Sequence, residues 1–387
     1  FAHTSDALKS ILSSVKKKTS GRLICVFGCA GERDRKKRVE MGKISAMLAD
    51  ISIFTAEDPR SENIFDILAA MAKGARSIKA KEKREFFRIP ERGEAIAYAL
   101  STAKKGDLVV IAGKGHEKSM AYKGFEHPWS DQVVVKEYFE NKDDIWAIIL
   151  AAGKGVRMKS DTPKVLHEIC GRPMISYTLG NLRKSKIGNI VVVVSFKKHD
   201  VMKAIGGAVR FAYQKNPKGG TADAAKAGLK EIPEKTKTLI VINGDDSAFY
   251  KPETINDVVA VHSETNSVLT FVSLDKDDPK GLGRVVRDKE GKLIGIIEEK
   301  DATVEQRKIK EVNDGLYVIE KDWFERNIGK VNLSPQGEYY LVDLIKIAVG
   351  NKEKVSVYKL KASSEWQGVN TPEQLEEAKR KMAERLK

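Results

Sequence analysis

The chain has 387 residues, 41% of them hydrophobic and 32% charged, which is enough for two or three domains with separate cores and too apolar for wholesale disorder. No apolar run approaches the roughly 18–20 residues of a membrane helix, the longest (WAIILAA from Trp146) being strand length, and three cysteines exclude a disulfide scaffold. The net charge of +15 is spread over both halves and attracts anions, from nucleotides to sugar phosphates; its basic clusters lack the interleaved aromatics of a single-strand platform, so nucleic acid is not favoured.

Short β-branched runs alternate with amphipathic stretches, which predicts an α/β chain with largely parallel sheets. RLICVFG near Leu23, DISIFT near Ile51 and DLVVIAG near Val109 read as strands, with helical patterns at 64–73 and 93–103. QVVVKEYF runs into a polar hinge at 140–144, after which IWAIILAAGKG restarts the pattern with a buried strand and a glycine-rich turn. Strands are then expected at NIVVVV, TLIVING, SVLTFVSL, KLIGIIEE and GLYVIE. Thr-Pro-Glu at 371–373 starts a highly charged terminal helix. These divisions predict domains at 1–141 and 145–371, with a connecting helix at 372–387.

In LAAGKGVRMKSDTPKVLHEICGRPM, a strand ends at Ala152 and Gly153 and Gly155 let backbone N–H groups approach a phosphate. Arg157 adds a planar fork of donors and Lys164 a mobile point charge. This stretch resembles the sugar-1-phosphate nucleotidyltransferases, specifically the uridylyltransferase domain of the bifunctional N-acetylglucosamine-1-phosphate enzyme family. The resemblance continues in order through QKNPKGGTADA, INGDDSAF, DDPKGLGRVVRD, IIEEKDATVEQRKIKEVNDGLY, QGEYYLVDLI and EWQGVNTPEQL. It implies a Rossmann-like domain in which Arg157 and Lys164 are catalytic and Asp245 and Asn370 hold Mg2+. It also implies that Leu150, Gly153, Gly155, Gln214, Gly220 and Thr221 bind UTP, and that Gly283, Glu298 and Asn313 bind N-acetylglucosamine-1-phosphate. In that reaction a sugar-phosphate oxygen attacks the α-phosphorus and pyrophosphate leaves. Asp245 has independent support, since it follows a buried strand at the end where open α/β sheets bind ligands. Read without the resemblance, Gly283 is also a turn glycine, Glu298 and Glu299 beside Lys300 an exposed ion pair, and Gln214 a surface loop. Three departures bear on selectivity: Ser247 stands where the family has proline, Gly219 and Gly220 where it has one glycine, and Asp314 where it more often has threonine.

The first half carries a second ordered set: FAHTSDALKSIL, CVFGCAGERDRKKRVEMG, FTAEDPR and AGKGHE. It resembles the C-terminal domain of the Mur ligases that add the third residue of a peptidoglycan precursor, also Rossmann-like. That resemblance implies ATP and a diamino acid such as meso-diaminopimelate as partners, with Arg33, Asp58, Arg60, Gly113 and Glu117 binding the amino acid. Glu57-Asp58 replaces the family's Asp-Asn, turning an amide donor into an acceptor. Residues 33–38 also read as a solvated basic helix start. The P-loop is absent and the chain opens on Phe1 inside a family motif, so this half is expected not to activate a carboxylate by itself and to be either a fragment of a longer fusion or a binding remnant. The expected product is UDP-N-acetylglucosamine, in the cytoplasm and away from membranes; the alternatives are another sugar or base, or a non-catalytic scaffold.

Overall fold

The computed structural model describes residues 2–142 and 144–387; Phe1 of the opening motif and Asp143 of the polar hinge lie outside them. Helix α1 (Ser5–Lys16) leads into β1 (Leu23–Gly28), and α2 (Lys36–Leu48) joins it to β2 (Ile51–Thr55). Both strands are buried at every position, as strands covered on two faces must be. Helix α3 (Ile64–Ser77) leads to β3 (Phe86–Arg88), and α4 (Arg92–Thr102) returns the chain to β4 (Leu108–Ile111). The sheet is parallel in the order β3-β2-β1-β4, so the connections leave β1 in opposite directions and open a crevice at its carboxyl end. A hairpin, β5 (Ser119–Tyr122) with β6 (Phe125–Pro128), and α5 (Asp131–Phe139) follow. Helix α5 is the QVVVKEYF run: Ser130 caps it by accepting from Val133 N–H, and tertiary context overrides its β-branched valines.

The second half restarts with β7 (Ile145–Ala151), then a minimal hairpin of β8 (Glu168–Ile169) and β9 (Arg172–Pro173). Alternation resumes with α6 (Met174–Lys184), β10 (Ile190–Val194), α7 (Lys198–Ile205), β11 (Arg210–Tyr213), α8 (Gly220–Leu229), β12 (Thr238–Asn243), α9 (Pro252–Thr265) and β13 (Leu269–Asp275). Then come β14 (Gly283–Arg287), β15 (Leu293–Ile297), α10 (Val304–Arg307), β16 (Glu311–Glu320), α11 (Lys321–Asn327), α12 (Asp343–Gly350), β17 (Val355–Lys359) and α13 (Pro372–Arg385). The order is β11-β10-β7-β12-β16-β13-β17. Strands β10 and β12 flank β7 in parallel, which creates a second switch point. Strand β16 departs from the predicted parallel pattern and runs antiparallel to both β12 and β13. Between β13 and β16 the chain makes the β14–β15 excursion and only a four-residue helix, too short to cross a sheet face, so it re-enters reversed.

Alternate residues of β7 feed the two faces: Ala147 and Ile149 join one core, Trp146 and Ile148 the other. Helix α13 is charged on most positions yet buries Leu375, Ala378 and Met382, spaced along one face, against Ile169, Met174 and Tyr177. The solvated reading of residues 33–38 holds for Arg33 and Arg35 but fails for Arg38. Arg38 is buried and forms two 2.8 Å hydrogen bonds to the Glu62 carboxylate, because the loop after β2 folds over the start of α2.

Arg92, fully buried at the start of α4, ties the first unit together. It donates to the carbonyls of Ala56 (3.1 Å) and Ala112 (2.9 Å), at the ends of β2 and β4, and to both Asp131 oxygens at 2.7 and 2.6 Å. Arg92→Leu leaves Asp131 buried without its charge partner, and urea unfolding is expected to show a loss of about 3–5 kcal/mol. The double variant Arg92→Leu/Asp131→Leu should recover most of it. A single-variant loss below about 1 kcal/mol would show that Asp131 finds other partners.

Candidate active sites

The loop after β7 turns at Gly155, whose φ of +63° is left-handed, and a Cβ there would lie 2.8 Å from the Lys164 Cβ. That position needs glycine because the loop crosses directly over Lys164. A short 3-10 turn, Val156–Met158, carries Arg157, and another, Lys164–Leu166, follows Pro163. The Lys164 ammonium forms an ion pair with Asp245 just beyond β12 and donates to Asn370 Oδ1 at 2.8 Å. Arg157 Nη2 donates to the same Asn370 oxygen at 2.8 Å. Four residues drawn from three distant segments thus meet at the carboxyl end of the sheet. Their two fixed cations, one carboxylate and one amide suit a polyphosphate.

Two adjoining hollows open there and share Lys164, Thr221 and Glu338. The smaller, about 180 Å³, is lined by Leu150, Gly153, Gln214, Gly220 and Asp245 among others. The larger, about 1410 Å³, is lined by Gly155, Arg157, Glu298 and Asn370. Gln214 is buried rather than a surface-loop residue: its amide donates to the Gly220 carbonyl (3.1 Å) and to Asp223 (3.0 Å). The second glycine of the pair also has a structural account. Tyr339 N–H donates to the Gly219 carbonyl at 3.0 Å, Ala222 N–H to the Tyr339 carbonyl at 2.9 Å, and Leu341 N–H to Thr221 Oγ1 at 2.9 Å. The QGEYYL segment is thereby laced to the start of α8.

Strand register assembles the remaining predicted residues. Gly283 is the first residue of β14 rather than part of a loop, and it pairs with Asn313 on β16. Arg284 pairs with Ile297, which sets Glu298 beside Gly283. Asn313 donates to the Tyr317 hydroxyl at 2.6 Å, while its Oδ1 is buried with no partner among the described residues. Burial, then the negative charges of Asp343 and Asp301, push the Glu298 carboxyl up to about 6. Glu298 makes no ion pair among the described residues; its neighbour Glu299 pairs with Arg284 at 3.0 Å.

Beneath Asp245 lies acidic chemistry that sequence reading missed. Asp246 accepts from Asn243 at 3.0 Å, and burial together with the Asp245 charge holds its carboxyl well above the usual range. Asp314, the residue in the family's threonine position, is buried, accepts from Tyr250 and from Leu316 N–H, and is pushed up to about 7 by burial. Ser247, in the proline position, donates to the Asn243 carbonyl and shares a 2.8 Å hydrogen bond with Thr178, so buried hydrogen bonds fix that loop. Glu338, which lines both hollows, was also missed; only its proximity to Gly220 places it there. The Asp245 carboxylate and the Asn370 amide oxygen are the hard donor types that suit Mg2+, but Lys164 and Arg157 engage them here, so an ion would have to take the place of those cations.

In the first unit Asp58, Arg60, Gly113 and Glu117 gather beyond the carboxyl ends of β2 and β4, with Arg33 apart on the loop after β1. The Asp58 carboxylate receives Lys114 at 2.8 Å on each oxygen and Ala121 N–H at 2.8 Å. Lys114, 1% exposed, also pairs with Glu117. The acceptor that replaces the family's amide is therefore answered internally. Arg60 pairs through its backbone with Ala121 and Lys123. Gly113 lies against the buried carboxyl of Glu57, which burial pushes up to about 7. Arg33 is exposed on the loop before α2 and makes no side-chain hydrogen bond or ion pair among the described residues.

Residues 1–115 match the sequence profile of the Mur ligase, glutamate ligase domain, and residues 146–385 that of the nucleotidyl transferases. The bifunctional protein GlmU of Geobacillus sp. is 37% identical over 242 residues, 62% of this chain and 52% of the relative. That of Alkaliphilus oremlandii is 39% identical over 241 residues, again 62% and 52%. The chain spans about half the length of the curated relatives it matches. A Bacillus anthracis crystal structure, described as a candidate glucose-1-phosphate thymidylyltransferase, superposes with a TM-score of 0.52 at 22% identity. It covers 61% of this chain and 94% of that one, and shows a shared fold. With the cleft at the β7 switch point and a profile match over more than half its length, the chain belongs to the nucleotidyl transferase family, here joined to a Mur ligase C-terminal domain.

Proposed function

We propose that the second unit transfers uridylyl from UTP to N-acetylglucosamine-1-phosphate, releasing pyrophosphate and forming UDP-N-acetylglucosamine. The observation that carries this reading is the meeting of Arg157, Lys164, Asp245 and Asn370 in one cleft that continues to Glu298. The GlmU relatives support the choice of nucleotide and sugar. A sugar-phosphate oxygen attacks the α-phosphorus in line, a new P–O bond forms, and the bond to the β-phosphate oxygen breaks as pyrophosphate departs with the electron pair. Arg157 and Lys164 stabilise the triphosphate and the leaving group, so the protein contributes mainly position and charge. Asp245 and Asn370 would hold Mg2+, which when bound neutralises phosphate charge. The unpartnered Asn313 oxygen and the Glu298 carboxyl are acceptors for sugar hydroxyl and amide N–H groups. Gln214, Gly220 and Thr221 shape the wall on the nucleotide side.

For the first unit we read Arg33 and Arg60 as the groups that meet the carboxylates of a diamino acid such as meso-diaminopimelate. Asp58, Gly113 and Glu117 frame that site through Lys114, and ATP would enter when further ligase domains complete it. This reading places both units on small cytoplasmic substrates rather than nucleic acid. Among the described residues no helix is long and apolar enough to cross a membrane.

Purified protein is expected to release pyrophosphate only with UTP, N-acetylglucosamine-1-phosphate and Mg2+ together, other nucleotides and sugar phosphates serving as controls. Asp245→Asn should lower turnover at least about 100-fold, on the order of 3 kcal/mol of barrier, with an unchanged circular dichroism spectrum. Near-normal turnover in that variant would remove Asp245 from the site. A separate expectation concerns pH. Glu298 is harder to ionise when folded than when unfolded, so its stabilising contribution is complete below the unfolded carboxylate range. That contribution is lost as pH rises through about 6. The Tm of Glu298→Gln should therefore gain on the parent's between about pH 5 and about pH 8. A Tm difference that stays constant with pH would mean that the carboxyl is solvated.

A further inference from the structure

The β8–β9 hairpin follows directly from the Lys164 turn: His167 N–H donates to the Lys164 carbonyl at 3.2 Å, and Met174 N–H to the His167 carbonyl at 3.0 Å. With two residues per strand and a turn at Cys170 and Gly171, both at positive φ, this hairpin is too small to be stable by itself. Within its own unit Tyr177 donates to the Ile169 carbonyl at 2.6 Å, and much of the remaining support comes from the other unit. His127 on β6, with its ring neutral because burial lowers it to about 4, donates from Nε2 to the Cys170 carbonyl at 2.9 Å. Lys123 pairs with Glu168 at 2.6 Å. Gly171 approaches the Tyr122 carbonyl so closely that a Cβ would lie 2.9 Å from it. The Arg172 guanidinium lies between the rings of Tyr122 (5.5 Å) and Tyr177 (5.2 Å) and pairs with Glu91 at 3.1 Å. Nearby, Arg183 on α6 pairs with Glu94 on α4 at 2.6 Å, with 11% and 1% of their side chains exposed.

Arg183 and Glu94 are desolvated where the units meet, and each offsets that cost only through the other, so the pair fixes how the two surfaces register. The opposite side of the hairpin, Ile169 and Cys170, packs in one cluster with Leu375 and Ala378 of α13. That helix begins two residues beyond Asn370, so both the Lys164 turn and the Asn370 segment border this interface.

We propose that the β5–β6 hairpin of the ligase-type unit is a positioning element for the transfer site, holding the Lys164 turn in place through Arg172 and the β8–β9 hairpin. Tyr122, His127 and Arg172 are positioning residues that touch no substrate. The assignment of Lys164 to the transfer site rests on the function proposed above; the mechanical link does not.

Amide hydrogen exchange of the full chain without substrate tests the link. Tyr122→Ala is expected to speed exchange at residues 164–174 about tenfold and leave β7, β10 and β12 unchanged, while kcat/KM for UTP falls about five- to tenfold. Tyr122→Phe keeps the ring and should restore both values. If Tyr122→Ala does not fold, Glu91→Gln, which removes the charge partner of Arg172 at equal volume, gives the same readout. Unchanged exchange at 164–174 in a folded variant overturns the proposal, as does an increase shared evenly by the sheet, which would mean general loosening. Should the parent chain release no pyrophosphate, the transfer reading falls, and the exchange pattern still decides the link.

Discussion

A single ammonium closes the second unit. Lys164 reaches Asp245 at the end of β12 and Asn370 at the threshold of α13, joining segments separated by more than 80 and 200 residues. Around a partly buried cation the cost of desolvation is offset only by close opposite charge and oriented dipoles, so the three segments must arrive together. The glycine over which the first loop turns, the buried hydrogen bonds of Ser247 and the apolar stripe of α13 each serve that arrival. The segments are held by packing elsewhere, which leaves the cleft face of the cluster open to phosphate.

The second organising feature is the layer of acids beneath the cluster. Asp246 and Asp314 are raised in pKa by burial, and Tyr250 and Asn243 satisfy their oxygens. A buried acid that is hard to ionise keeps local negative charge down around Asp245, the half-buried carboxylate at the strand end that pairs with Lys164. The serine and aspartate that depart from the family pattern both belong to this layer, where each has a buried hydrogen-bond partner.

The two units are joined by more than a linker. Ion pairs between α4 and the second unit, and the stacking of Arg172 between tyrosines from both halves, bury charge across the boundary. The polar hinge is accompanied by paired, largely buried charges that cross the boundary elsewhere. The first unit has its own satisfied network around Lys114, and its hairpin extends from that network to the interface: Ala121 bonds Asp58 while Tyr122 and His127 face the second unit.

Sequence by itself determined the alternation of buried strands and helices, because a parallel strand covered on both faces must be a continuous apolar run, as at Ile145 and Ile190. It also singled out Arg157, Lys164 and Asp245 as candidates, since glycine loops, a basic fork and a strand-end carboxylate are local patterns with local causes. Short elements were not legible: β3, β5–β6 and β8–β9 carry too few residues to show a period, and the valines of α5 favour a strand until Ser130 and the packing decide otherwise. The reversal of β16 was equally hidden, because direction depends on what the preceding chain can cross. Tertiary structure alone decided the contacts between distant segments: Asn370 against Arg157 and Lys164, Gly283 beside Glu298 and Asn313 through strand register, Arg38 buried on Glu62, and Arg172 between two tyrosines. Each is a pairing of residues far apart in the chain, and sequence patterning records what a residue needs, while only the fold decides which neighbour supplies it.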